Sequence, residues 1–125
     1  PQSARSYAMA GVNVVIADTD AEARRLFTSL QMRFADMFRN ARGFLKPPIG
    51  DIETYWTSVE KMQASRMLAC SFVGSPETVK TKLQAFISQT GVDEVMVASA
   101  IHDHAARMRS YELLASLRFI DASQL

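Results

Sequence analysis

Cysteine is nearly absent from this chain: its 125 residues include one, Cys70. A single thiol excludes an intramolecular disulfide and a cysteine-built metal framework, and it suits a reducing, cytoplasmic setting. An excess of either charge is missing too. Fourteen Lys and Arg stand against thirteen Asp and Glu, for a formal net charge of +1. That excludes a strongly basic nucleic-acid binder. Without a basic block, nothing points to an anionic membrane surface. No apolar run approaches the roughly 20 residues needed to span a bilayer, and no charged-then-apolar leader is read at the front. Internal repeats and low-complexity stretches are lacking as well. What is there is an ordinary composition, 48% hydrophobic and 22% charged, of the size of one globular domain.

The first element is a strand over residues 7–16, Tyr7-Ala8-Met9-Ala10-Gly11-Val12-Asn13-Val14-Val15-Ile16. It is too apolar for clean alternation, as expected of a strand covered on both faces in a parallel sheet. Gly11 inside it marks a bulge or the close approach of another backbone. A long amphipathic helix follows over 19–39, with Ala23, Leu26, Phe27, Leu30, Phe34, Met37 and Phe38 at 3–4 spacing. Thr19 and Glu22 have the spacing of a capping box. Residues 40–51, punctuated by Gly43, Pro47, Pro48 and Gly50, read as an irregular segment. A long loop of this kind in a compact domain is often a lid or binding loop. A helix is expected over 52–68.

Residues 69–74 are short and apolar, a strand stub or buried loop. Ser75-Pro76-Glu77 is a strong helix start, opening a helix over 76–90 that Gly91 closes in the left-handed region. A second buried strand is read over 94–99, and Asp103 caps a last helix over 104–117. Helices separated by buried-type strands argue for an α/β fold built from βαβ units. Two parallel strands make a poor sheet, each keeping an unpaired edge. The pattern is helix-rich and reads as a piece of something larger.

Four segments carry a resemblance. They are Tyr7 to Ala23, Val73-Gly74-Ser75-Pro76-Glu77-Thr78-Val79, Asp93-Glu94-Val95-Met96-Val97, and the closing Asp103-His104-Ala105-Ala106-Arg107 with Ser110-Tyr111-Glu112-Leu113-Leu114-Ala115. In this order they resemble the C-terminal third of bacterial luciferase-like flavin monooxygenases. The resemblance implies the C-terminal portion of a (β/α)8 TIM-type barrel, which is about 250 residues when complete. Residues 7–16 would be its seventh strand and 94–99 its eighth. It implies reduced FMN as cofactor in the intact enzyme, O2 and a small organic substrate as reactants, and insertion of one oxygen atom. The flavin-contacting residues of the upstream strands have no counterpart here, so the fragment is expected to be inactive alone. The Pro1-Gln2-Ser3 opening, which lacks an initiator Met, fits a chain whose front is absent.

In a barrel, chemistry sits at the carboxyl ends of the strands. That selects Thr19 after the first strand and Ser99, His102 and His104 after the second. Thr19 and Ser99 are the cofactor-binding candidates, although capping accounts for Thr19 and Asp103 fully. His102 and His104 are the catalytic candidates, since imidazole exchanges protons near neutral pH, with exposed loop residues as the alternative. The pair His102-x-His104 lacks a third ligand nearby, so no metal is expected. Ser75 reads as a cap rather than a phosphate cradle, because Glu77 in the first turn would repel an anion. Cys70 reads as a small hydrophobe. Trp56 is an anchor for the 40–60 segment over an active-site mouth, or else a surface or subunit contact, and residues 40–66 are expected to close over the pocket as a lid. Exposed strand edges and helix faces predict a homo-oligomer. The competing reading is a non-enzymatic, helix-rich dimerisation or interaction module.

Overall fold

Eight residues, Met9–Ile16, form the first strand, β1. The chain continues through helix α1 (Asp20–Phe38), a 3₁₀ turn (Ile52–Thr54), helix α2 (Ser58–Met67), strand β2 (Ser71–Gly74), helix α3 (Pro76–Thr90), strand β3 (Glu94–Ala98) and helix α4 (His104–Ala115). The computed structural model describes residues 6–41 and 43–119, so the Pro1-Gln2-Ser3 opening lies outside the described residues.

The fold is α/β, with a three-stranded parallel sheet ordered β2-β1-β3. The sequence pattern supplied two strands; the third, β2, was legible only as a stub or buried loop. At four residues it is too short to show a period, and its identity comes from pairing with β1 far away in sequence. Its register runs from Asn13 opposite Ser71 to Ile16 opposite Gly74. β3 takes the other edge of β1, from Met9 opposite Glu94 to Asn13 opposite Ala98.

Alternation along β1 sends Val12, Val14 and Ile16 to one face and Val15 to the other. The first set packs with Phe72, Val79 and Leu83, joined by Leu113, Leu114 and Leu117, so α3 and α4 cover that face. Val15 packs with Ala23 and Leu26 of α1 and with Ile101, so α1 covers the other. Val14, Val15 and Ile16 are therefore sealed on both sides, each with 0% exposure. Burial of each contributes about 1.5–3 kcal/mol. Cover stops short of the other end of the sheet, where Met9 and Met96 remain 52% and 59% exposed.

Local chemistry sets the helix ends. Thr19 accepts from the Glu22 amide at 3.1 Å, Asp103 from the Ala106 amide at 2.8 Å and Ser75 from the Thr78 amide at 3.4 Å. Gly91 closes α3 at φ 64°, in the left-handed region that glycine enters without strain. The Thr19–Glu22 capping box is only half formed. The Glu22 carboxylate turns to Arg25, at 2.7 Å, instead of reaching back to the Thr19 amide. A complete box forms at Thr57 and Glu60, which delays α2 to Ser58. Gly11 is another difference: nothing lies within 4 Å of a Cβ built there, so no backbone approaches it closely. The glycine that close approach does require is Gly74, where a Cβ would meet Asp20 and Thr78 at 2.7 Å.

Between α1 and α2, residues 43–56 form a strap laid along α1. The Ile49 amide donates to Thr28 Oγ1 at 2.9 Å. Further along, Lys46 pairs with Asp36 at 3.0 Å and the Tyr55 hydroxyl donates to the same carboxylate. Arg39 pairs with Glu60 and sits 4.6 Å from the centre of the Tyr55 ring. Trp56 is buried against Ala35 and Ala64. Among the described residues its indole Nε1 has no hydrogen-bond partner.

Candidate functional site

All three strands run in parallel, so their carboxyl ends open on one edge of the sheet, where ligands bind in this kind of architecture. Three turns meet the edge: Ala17-Asp18-Thr19 after β1, Ser75 after β2, and residues 99–103 after β3. The sequence-selected residues Thr19, Ser99, His102 and His104 all follow these strand ends, but the structure gives them different employment.

Pairing between β1 and β3 stops at Asn13 and Ala98. Beyond that point the backbone groups of β1 that face β3 need other partners. Two serines supply them. Ser99 Oγ donates to the Val14 carbonyl at 2.7 Å, and the Ile16 amide donates to Ser110 Oγ at 3.0 Å. Both serines are buried, Ser110 completely and Ser99 to 6% exposure. Side chains thus continue the ladder where β3 turns away, and β1 keeps its path to the edge. Ser99 is a structural bridge, with its hydroxyl proton already committed. Ser110 was not singled out in the sequence; its small polar side chain at an apolar spacing on α4 was the available sign.

Thr19 and Asp103 act as caps. Asp18, beside Thr19, is exposed and pairs with Arg109 at 3.0 Å, tying the β1 turn to α4. His104 opens α4, where its Nδ1 accepts from the Arg107 guanidinium at 2.8 Å. His102 is exposed in the β3 turn. The two imidazoles therefore lie at the correct edge of the sheet, in solvent rather than in an enclosed slot.

Asp20 links two turns. Its Oδ1 accepts from the Ser75 amide at 2.7 Å. That amide, then the Thr78 hydroxyl, the Ser75 hydroxyl and the Arg24 charge hold its carboxyl below the usual range. A carboxylate therefore occupies the start of α3. With the first turns of α1 and α4 engaged by Thr19 and Asp103, no helix start at this edge among the described residues is an unclaimed phosphate cradle. The edge does not by itself fit a flavin phosphate. No group of three or more His, Cys, Asp or Glu side chains is placed to hold a metal among the described residues. No helix among them is long and apolar enough to cross a membrane. Cys70 is exposed rather than buried as read from its apolar neighbours, because the turn before β2 carries it outward.

A parallel α/β sheet with its turns gathered at the strand carboxyl ends belongs to the α/β architectures that place small-molecule sites at that edge. The particular kinship is specific: the chain resembles the luciferase-like monooxygenase family. It is 36% identical over 114 residues to the "Luciferase-like monooxygenase" of Escherichia coli strain K12, covering 91% of this chain and 34% of that protein. It is 43% identical over 111 residues to an uncharacterised Bacillus subtilis protein, YvbT, covering 89% of this chain and 33% of that one. The crystal structure of apo-MsnO8 matches with a TM-score of 0.66 and 28% identity, over 92% of this chain and 35% of that one. No protein-family model matches the chain. The chain spans about a third of the length of the curated relatives it matches.

Proposed function

We propose that this chain is the C-terminal part of an FMN-dependent luciferase-like monooxygenase and does not turn over alone. The observation that carries this reading is the 36% identity to a luciferase-like monooxygenase across 91% of the chain, at 34% of that protein's length. In the intact enzyme, bound reduced FMN would supply the two electrons of a monooxygenation in which one atom of O2 enters a small organic substrate and the other leaves as water. The groups that hold the flavin phosphate come from the remainder of that protein, since each helix start at the strand carboxyl ends of the described residues is already engaged by a side-chain oxygen.

The chain's own contribution is one wall of the reaction chamber at the strand carboxyl ends. Ser99 and Ser110 hold the end of β1 in place, and the Asp18–Arg109 pair joins the β1 turn to α4. His102 and His104 are the proton-exchanging candidates on that wall, and Thr19 supports it as the cap of α1. The strap and α2 stand beside the chamber as a screen against water. The enzyme is cytoplasmic and assembles as a homo-oligomer through exposed strand edges or helix faces.

The test compares this chain with the longer protein that contains it, using FMN fluorescence quenching and substrate-dependent consumption of O2 with reduced FMN. FMN binding and turnover by the longer protein, neither by the chain alone, is the expected outcome. Failure of the longer protein to bind FMN sinks the reading.

A further inference from the structure

A cavity of about 680 Å³ opens between α1 and α3, on the side of the sheet bordered by β2. Its size lies within the roughly 300–1,000 Å³ of small-molecule sites. Three of its walls are fixed by bonds already described. Asp20 ties the start of α1 to the start of α3, and the Ile49 amide on Thr28 pins the strap whose Gly50, Asp51 and Ile52 form the third side. Phe27, Val73 and Ile52 supply an apolar lining.

The charges lining this space are not equivalent. Arg25 is bound bidentately by Glu22, at 2.7 and 2.9 Å. Asp20 is committed to the Ser75 amide and Asp51 to the Glu53 amide, at 2.7 and 3.0 Å. Arg24 and Lys82 line the same cavity from α1 and α3, and neither has an ion pair within 4.0 Å among the described residues. Both carboxylates accept from backbone amides; Arg24, whose charge also acts on Asp20, and Lys82 bring one cation from each helix to a lining of mixed character.

We propose that this cavity binds a small amphipathic organic anion, a carboxylate or a phosphate monoester. Its apolar body packs on Phe27, Val73 and Ile52, and its charged head is recognised by Arg24 and Lys82. Arginine suits this role because its planar fork matches either head group, and Lys82 adds a point charge. The assignment stands apart from the flavin reading, since it uses neither the β1–β3 turns nor the missing part of the longer protein.

The test is a titration of the full 125-residue chain, followed by backbone amide shifts, with phenyl phosphate, benzoate and neutral benzyl alcohol as probes. Saturable shifts around residues 24, 27, 73 and 82 with an anion, and weak ones with the alcohol, are expected. Whichever anion binds more tightly identifies the head group. Arg24→Gln or Lys82→Gln should each weaken anion binding about fivefold, the scale of a solvent-exposed charge contact. Together they should erase the preference over benzyl alcohol, while Arg66→Gln on α2 changes nothing. Raising the salt concentration should weaken the anions alone. Equal binding of the alcohol, absence of saturable shifts, or unchanged affinity in the double variant overturns the proposal.

Discussion

The two ends of the sheet differ in kind. At the carboxyl end, Val14, Val15 and Ile16 lie between α1 on one face and α3 with α4 on the other, and serine hydroxyls finish the backbone pairing. At the amino end, Met9 and Met96 remain exposed on the same face whose carboxyl end, around Val15, is covered by α1. One end is a closed interior and the other an open surface made of interior-type residues. The difference teaches where this chain keeps its stability: at the edge where the turns of potential function are anchored. Rigidity matters at such an edge, because a wall that shifts by an ångström misplaces whatever it faces.

The largest effect should come from Ile16→Ala at the closed end, costing about 2–5 kcal/mol in chemical denaturation, against less than about 0.5 kcal/mol for Met96→Ala at the open end. Similar losses at both positions would erase the distinction. Next comes Ser110→Ala. It strands the Ile16 amide in a dry environment and should cost about 1–3 kcal/mol, whereas Ser110→Thr should recover part of it. Gly74→Ala belongs to the same range of about 1–3 kcal/mol, from crowding against Asp20 and Thr78.

A pH titration probes the strap. Glu60 is held at about 2, below its ordinary 4.5, by the Arg39 guanidinium first and then by the Thr57 amide. Its folded value lies below its unfolded one, so its stabilising contribution is complete above about pH 4.5 and fades as pH falls toward 2. Glu60→Gln should flatten that part of the stability profile, with the sheet variants unaffected in shape. An unchanged profile would separate the ion pair from strap docking. The smallest effect is expected for Gly11→Ala, which has open space around it and should stay within about 0.5 kcal/mol in this chain.

Features decided within a few residues were legible in the sequence. Thr19, Ser75 and Asp103 cap their helices because a side-chain oxygen and an amide three residues away meet in any helix start. Gly91 ends α3 because the left-handed region favours glycine. What escaped was decided at a distance. β2 exists through its pairing with β1, and its four residues carry no period of their own. The role of Ser99 depended on where β3 leaves β1, and that of Ser110 on how α4 lies against it. Glu22 had two partners within reach and chose Arg25, a competition that spacing alone does not settle. The same limit applies to the candidate site. For His102 and His104 the position at the strand ends could be read, as could exposure in a loop as the alternative to a pocket, but not the Arg107 contact.

Trp56 turns the strap into an observable. It is the chain's one tryptophan and is 8% exposed, set against Ala35 and Ala64 beneath the strap. Emission from this protein under selective excitation therefore originates at a single address, in a dry setting that favours short wavelengths. A shift of that emission to the red would report loosening where the strap, α1 and α2 meet, in real time and without a label.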